Sequence, residues 1–203
     1  MSVSERAAAR AVEAQNARAT AEVRALIDAG LTVLRRQGAA GMTVAEVLTE
    51  AGMSTRAFYR HFRSKDELVL AIYEQETERT TARLRARLAA APTPRAAVEA
   101  WIDENLALGF EARRARRTAV LAHEGTRLQV DFPVEFAAIV AATISPLAEM
   151  LTAFPDADPW RDAWSIHAVT WALVQDKLRG SPVSLADARA HVLRFCLPAL
   201  GTP

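Results

Sequence analysis

Between Ser54 and Lys65 the chain carries Arg56, Tyr59, Arg60, His61 and Arg63, and no acidic residue. Guanidinium, imidazole and phenol groups all donate hydrogen bonds to anionic oxygens, and a guanidinium can also bond two acceptors on one guanine edge. On a helix advancing about 100° per residue from Ser54, Phe58 and Phe62 fall at about 40° and 80°. Arg63, Arg56 and Arg60 fall at about 180°, 200° and 240°, with Tyr59 bordering them at about 140°. One side is therefore aromatic and the other cationic. A charged side on a surface helix is usually just solvated. Here the local absence of counter-charge sets the segment apart and points to a nucleic-acid duplex as the partner.

The element that must position these groups is itself legible. Thr43 and Glu46 have the form of a capping box, opening a short helix that ends at Gly52. Gly52 suits the left-handed backbone of a tight turn, and Val47, Ala51 and Met53 are placed to pack the flanking helices together. Two short helices joined in this way form a helix-turn-helix, whose second helix can enter a major groove.

Helix start signals recur along the rest of the chain: Ser64 with Glu67, Thr93-Pro94, Asp158-Pro159, and Ser184 with Asp187. No segment alternates apolar and polar residues between hairpin turns, so the fold class is all-α. Nine helices are expected, over about 19–37, 43–51, 54–62, 65–90, 94–112, 115–125, 133–154, 159–178 and 184–199. Gly125 is expected to end the sixth and Pro198 to end the last one early. The short early helices and long later ones imply a flexible arm over 1–18, a helix-turn-helix domain over 19–65 and a larger helical domain over 66–203. The helix from Lys65 is expected to join the last two.

Composition excludes several alternatives. Of 203 residues, 51% are apolar, enough to bury a core, and 25 basic against 24 acidic side chains leave +1, so bulk charge names no partner. Arg is abundant while Lys occurs only at 65 and 177, a compositional bias rather than a functional signal. The single cysteine, Cys196, rules out an intramolecular disulfide and a multi-cysteine metal cage, and fits a reducing, cytoplasmic setting. Residues 1–19 have no apolar core and are not expected to act as a secretory signal. The apolar stretch 136–154 contains Pro146 and Glu149 and reads as a buried helix of a bundle rather than a membrane span. His123-Glu124 begins like a zinc-protease motif, but Arg127 stands where the second histidine is needed. No metal site, cofactor or enzymatic motif is expected.

Residues 20–75 resemble the DNA-binding domain of the TetR family of bacterial transcriptional regulators. The resemblance rests on Thr43-Val44, Ala51-Gly52-Met53-Ser54, Tyr59-Arg60-His61-Phe62 and Ser64-Lys65-Asp66-Glu67-Leu68. It implies a homodimer that places two third helices in successive major grooves of a palindromic double-stranded operator. By position, Thr43, Tyr59, His61 and Lys65 would contact phosphates, and Thr55, Arg56 and Arg60 would contact base edges. Arg56 replaces the small residue common there, Ala57 a frequent Thr, and Leu48 a usual Ala. The family reading further implies a repressor released by a small hydrophobic effector. A ligand-independent or activating regulator, or a helical protein-interaction module, is the alternative.

The C-terminal half yields apolar stripes rather than chemistry. Trp160, Trp164, His167, Trp171, Val174 and Leu178 form one, and Leu185, Ala188, Val192, Cys196 and Ala199 another. Either they fill one chain's core or, as the resemblance implies, the last two helices form a four-helix bundle with a partner's. Effector contacts are expected among Trp101, Asn105, Leu108, His123, Phe132, Phe136, Val140, His167 and Trp171, which pair apolar area with sparse polar groups. The basic run 113–117 reads as a solvated helix junction, or else as a site for an anionic head group.

Overall fold

Hydroxyl and carboxylate caps set the helix boundaries much as the sequence implies. Thr43, Ser54, Thr93, Asp158 and Ser184 each accept a backbone N–H from three residues on. The computed structural model describes residues 2–201; the side chains of Ala39, Ala40 and His123, the last an expected effector contact, lie outside the described residues. Among the described residues there are nine helices and no strand. They are α1 (Val3–Gly41), α2 (Val44–Ala51), α3 (Thr55–His61), α4 (Lys65–Ala89), α5 (Pro94–Phe110), α6 (Ala112–Asp131), α7 (Pro133–Leu151), α8 (Pro159–Leu178) and α9 (Leu185–Leu200).

Three expectations about helix ends are overturned. The first helix begins at Val3 rather than near 19: Ser2 and Glu5 form a capping box, and the alanine-rich segment that follows favours helix, so the segment expected as an arm continues α1. The sixth helix runs through Gly125, because this glycine packs close to the Phe136 ring of α7 instead of ending a helix. Pro198 lies inside α9, which continues to Leu200.

Packing divides the chain into two units, one ending at Tyr73 and the other starting at Glu74, with α4 contributing to both. In the first, Leu26, Ala29, Val33 and Leu34 of α1 form a core with Val47 of α2, Phe58 of α3, Phe62, and Leu68 and Ile72 from the start of α4. At Gly30 the backbone of α1 approaches α4 so closely that a methyl group would lie 2.9 Å from Ile72 Cδ1. Glycine there is what lets the opening turns of α4 seat on α1.

The second unit is built around α5, where Val98, Trp101, Ile102 and Leu106 are wholly buried. Buried residues of α7 (Ile144, Leu147, Leu151), α8 (Ala163, Ile166, Val174) and α9 (Ala188, Val192, Cys196, Leu200) complete its core. Val192 and Cys196 thus belong to this chain's own core, and much of the expected α9 stripe is spent there. The apolar residues that α8 and α9 leave exposed are others: Trp160, Trp164, Leu185 and Phe195. α7 is long and apolar enough to cross a membrane by length and composition, and it turns Ile139, Ile144, Leu147 and Leu151 into the core.

Charged groups inside the second unit are paired. Glu104, 6% exposed, receives Arg87 of α4 and Arg114 of α6, tying three helices at one carboxylate. Arg189 of α9 bonds Asp103 at 2.6 Å and Glu99 at 3.1 Å on α5, and these carboxylates raise its pKa against a smaller effect of burial. Arg117 bonds Glu76 of α4, so the basic run 113–117 is partly consumed by internal ion pairs.

His167 lies among Trp101, Trp164 and Trp171, stacked on the last at 6.3 Å between ring centres. Burial pushes its pKa down to about 4 from 6.5, so the ring is neutral at physiological pH. Between these values the unfolded chain binds the extra proton. Stability is therefore fully retained above pH 6.5, falls as pH drops towards 4, and levels off below. Thermal melts across this range should show a shallower acid slope in His167→Phe than in the parent. Identical slopes would mean that the imidazole is not desolvated.

Candidate nucleic-acid interface

The geometry of residues 43–65 follows from one dry side and one turn. Phe58 is fully buried and Phe62 nearly so, their rings 5.7 Å apart, and Tyr59 meets Phe58 edge-on at 5.2 Å while staying 58% exposed. Burying such a ring contributes about 1.5–3 kcal/mol, enough to fix the rotation of a helix only seven residues long. Thr55, Arg56, Tyr59, Arg60 and Arg63 are consequently exposed together. The angular arithmetic of the sequence holds here.

The turn is equally constrained. Gly52 closes α2 in the left-handed conformation at φ 62° and ψ 34°, its N–H donating to the Leu48 and Thr49 carbonyls. Met53 N–H then donates to Leu48 O at 3.0 Å, and Ser54 caps α3 through its hydroxyl, which accepts Ala57 N–H at 3.2 Å.

At the edges, Thr43 caps α2: its oxygen accepts Glu46 N–H, and its hydroxyl donates to the Glu46 carboxylate at 2.8 Å. Hydrogen bonds from Gln37 and then Thr43 lower the pKa of that carboxylate. Ser64 accepts Glu67 N–H, and the Glu67 carboxylate accepts the N–H of Arg63, closing the start of α4 where Lys65 stands. Of the seven expected DNA contacts, Thr43, Thr55, Arg56, Tyr59 and Arg60 are exposed, Lys65 is half-buried, and the His61 side chain is only 10% exposed.

One expectation fails. The cationic side is not without counter-charge, because Glu22 of α1 reaches it. Its Oε2 accepts from Arg60 Nη2 at 2.5 Å and lies 2.9 Å from His61 Nε2, while its Oε1 accepts from Arg18 Nε at 3.2 Å. Hydrogen bonds from His61, then Arg60, hold the Glu22 carboxyl down to about 2. Arg56, by contrast, makes no ion pair among the described residues. Nothing near residue 60 signals this contact, since its partner is 38 positions upstream on another helix.

The expected effector residues are only partly brought together. Trp101, His167 and Trp171 form one aromatic cluster. Asn105, buried beside it on α5, donates to the Trp101 carbonyl at 2.9 Å. Leu108 and Val140 pack on the same core, and Phe136 lies against Gly125. Phe132 caps both α6 and α7 and is half-buried. A groove of about 320 Å³ opens between α4 and α7, lined by Glu74, Thr77, Glu78, Thr81, Arg85 and Ile139 among others, and none of the eight candidates whose side chains are described lines it.

Residues 26–72 match the family model described as bacterial regulatory proteins, tetR family. Over this N-terminal segment the chain is similar to the tetR family. It is 50% identical over 64 residues to the HTH-type transcriptional regulator CymR of Pseudomonas putida, a match covering 32% of each protein. It is 33% identical over 82 residues to the HTH-type transcriptional regulator BetI of Brucella anthropi, covering 40% of this chain and 42% of that one. The chain thus matches well under half the length of these relatives. Over its fold it is similar to the transcriptional regulator FadR of Bacillus subtilis, solved in complex with stearoyl-CoA. That similarity has a TM-score of 0.69 at 14% identity, covering 87% of this chain and 98% of that one.

A methyl group at Gly52 would meet nothing within 4 Å, so any cost of adding one comes from the backbone alone. Gly52→Ala should lose about 1–2 kcal/mol in denaturant unfolding, with Gly52→Asn closer to the parent. An alanine variant as stable as the parent would rule out the left-handed turn.

Proposed function

We propose that the chain is a DNA-binding transcriptional regulator, not an enzyme, acting in the cytoplasm as a repressor. The observation that carries this reading is the helix-turn-helix in which buried Phe58 forces Arg56 and Arg60 outward on α3, with Arg63 exposed just past its end. Such a helix suits a major groove, where Arg56, Arg60 and Thr55 reach base edges. Thr43, Tyr59, His61 and Lys65 contact phosphates and set the register, carrying little sequence information.

The first unit binds DNA, and the second binds a small apolar effector and pairs two chains on a palindromic operator. The aromatic cluster around His167, with Asn105 beside it, supports an apolar effector. To act, the effector must favour an arrangement that docks poorly on the operator. α4 supplies residues to both units, and Arg117–Glu76 and Arg87–Glu104 link it to the helices of the second, so it is the route for that change.

Pairing through the last two helices is supported by the large apolar groups they expose, Trp164 and Phe195 above all, the latter 63% exposed. Phe195→Glu should give folded monomers by sedimentation. Val192→Glu, placing a charge in the chain's own core, should unfold it instead. A dimer unchanged by Phe195→Glu would put the interface elsewhere.

DNA recognition is tested by splitting the two contact classes. Arg60→Ala should cost about 1–3 kcal/mol at a selected site and relax base preference there, while Lys65→Ala weakens all duplexes about equally. Each phosphate contact should contribute a slope of about −0.9 in log K against log salt. No preference for any duplex at moderate salt would defeat the reading.

A further inference from the structure

Glu22 of α1 reaches the cationic side of α3, and it holds two of the groups assigned to DNA. Oε2 takes Arg60 at 2.5 Å and His61 at 2.9 Å, whereas Oε1 takes Arg18 at 3.2 Å. The carboxylate is shielded, 17% exposed, while Arg60 and Arg18 are 55% and 83% exposed. Arg60 therefore retains access to solvent, and to a duplex, while it is engaged.

This arrangement resembles a phosphate contact already made. A carboxylate and a phosphate oxygen compete for the same guanidinium donors. A duplex offering Arg60 only a phosphate replaces one charge-assisted contact with another and gains little. A duplex offering guanine O6 and N7 at the right place gives two parallel bonds in return for the one it displaces. The carboxylate is not stranded when Arg60 leaves, because Arg18 stays on its other oxygen.

We infer that Glu22 is a specificity-determining residue, a resident competitor for Arg60 and His61 that suppresses docking on non-cognate duplex. It acts through Arg60 and needs no contact with DNA. The inference rests on the DNA-binding reading and adds to it a cost borne mainly by wrong sequences. It also removes one phosphate neutralisation from non-specific binding, because an arginine held by Glu22 displaces no cation from the duplex.

The test uses the full chain and a duplex of random sequence, with a genomically selected fragment as the cognate probe. Glu22→Gln should bind the random duplex about two- to five-fold more tightly, the scale of one exposed ion pair. It should gain far less on the cognate fragment, so the specificity ratio falls. The salt slope on random duplex should steepen by about 0.9, one added phosphate contact. In an Arg60→Ala background the same substitution should lose most of its effect. Circular dichroism and melting of each variant separate these changes from misfolding. Unchanged random-duplex affinity and slope in folded Glu22→Gln would overturn the inference. So would a parallel loss on both duplexes that tracks a lower melting temperature, which marks a purely structural role. A parent chain that binds no duplex would overturn the DNA-binding reading itself, a result distinct from the first two.

Discussion

Burial of Phe58 and Phe62 against the core of α1 decides which way α3 faces, because a helix of seven residues has little stability of its own and no other means of holding its rotation. Once the aromatic side is dry, the positions of Arg56 and Arg60 follow from helix periodicity, and Arg63 is exposed just past the helix end. The turn at Gly52 and the caps at Thr43 and Ser54 then set where this short element begins. The cationic surface of α3 is thus a by-product of packing, with its chemistry carried on the side that packing rejects.

Electrostatics are handled in the same way in both units, by acids drawn from neighbouring helices. Glu22 meets Arg60 and His61, Glu104 meets Arg87 and Arg114, Glu76 meets Arg117, and Asp103 meets Arg189. Part of the near-balanced charge is therefore arranged as specific helix-to-helix pairs. In the second unit these pairs tie α4, α5, α6 and α9 around a core helix that is otherwise apolar. In the first, Glu22 joins α1 to the cationic side of α3 through Arg60 and His61.

Local rules carried far in this sequence. Caps at Thr43, Thr93, Asp158 and Ser184 placed helix starts within a residue or two, and the periodicity of residues 54–65 gave the orientation of α3. What failed was non-local. Gly125 looks like a helix end until Phe136 is seen beside it, and Val192 looks like an interface residue until α5 and α8 close over it. Glu22 carries no signal at all, because its meeting with Arg60 depends on how α1 lies across α3. The opening of α1 has no apolar stripe to announce it, yet its alanine content and the Ser2–Glu5 cap start the helix there. Effector residues were the least legible, since an apolar aromatic that lines a cavity and one that fills a core have the same sequence pattern.

The central claim is that α3 reads a particular duplex, and selection of bound fragments from genomic DNA tests it most directly. The account predicts that repeated selection enriches a few fragments sharing an inverted repeat, with half-site centres about one helical turn, roughly 34–36 Å, apart. It predicts that Arg56→Ala or Arg60→Ala abolishes the enrichment while the chain stays folded. Recovery of fragments indistinguishable from bulk genomic DNA, by a folded protein at moderate salt, would contradict it.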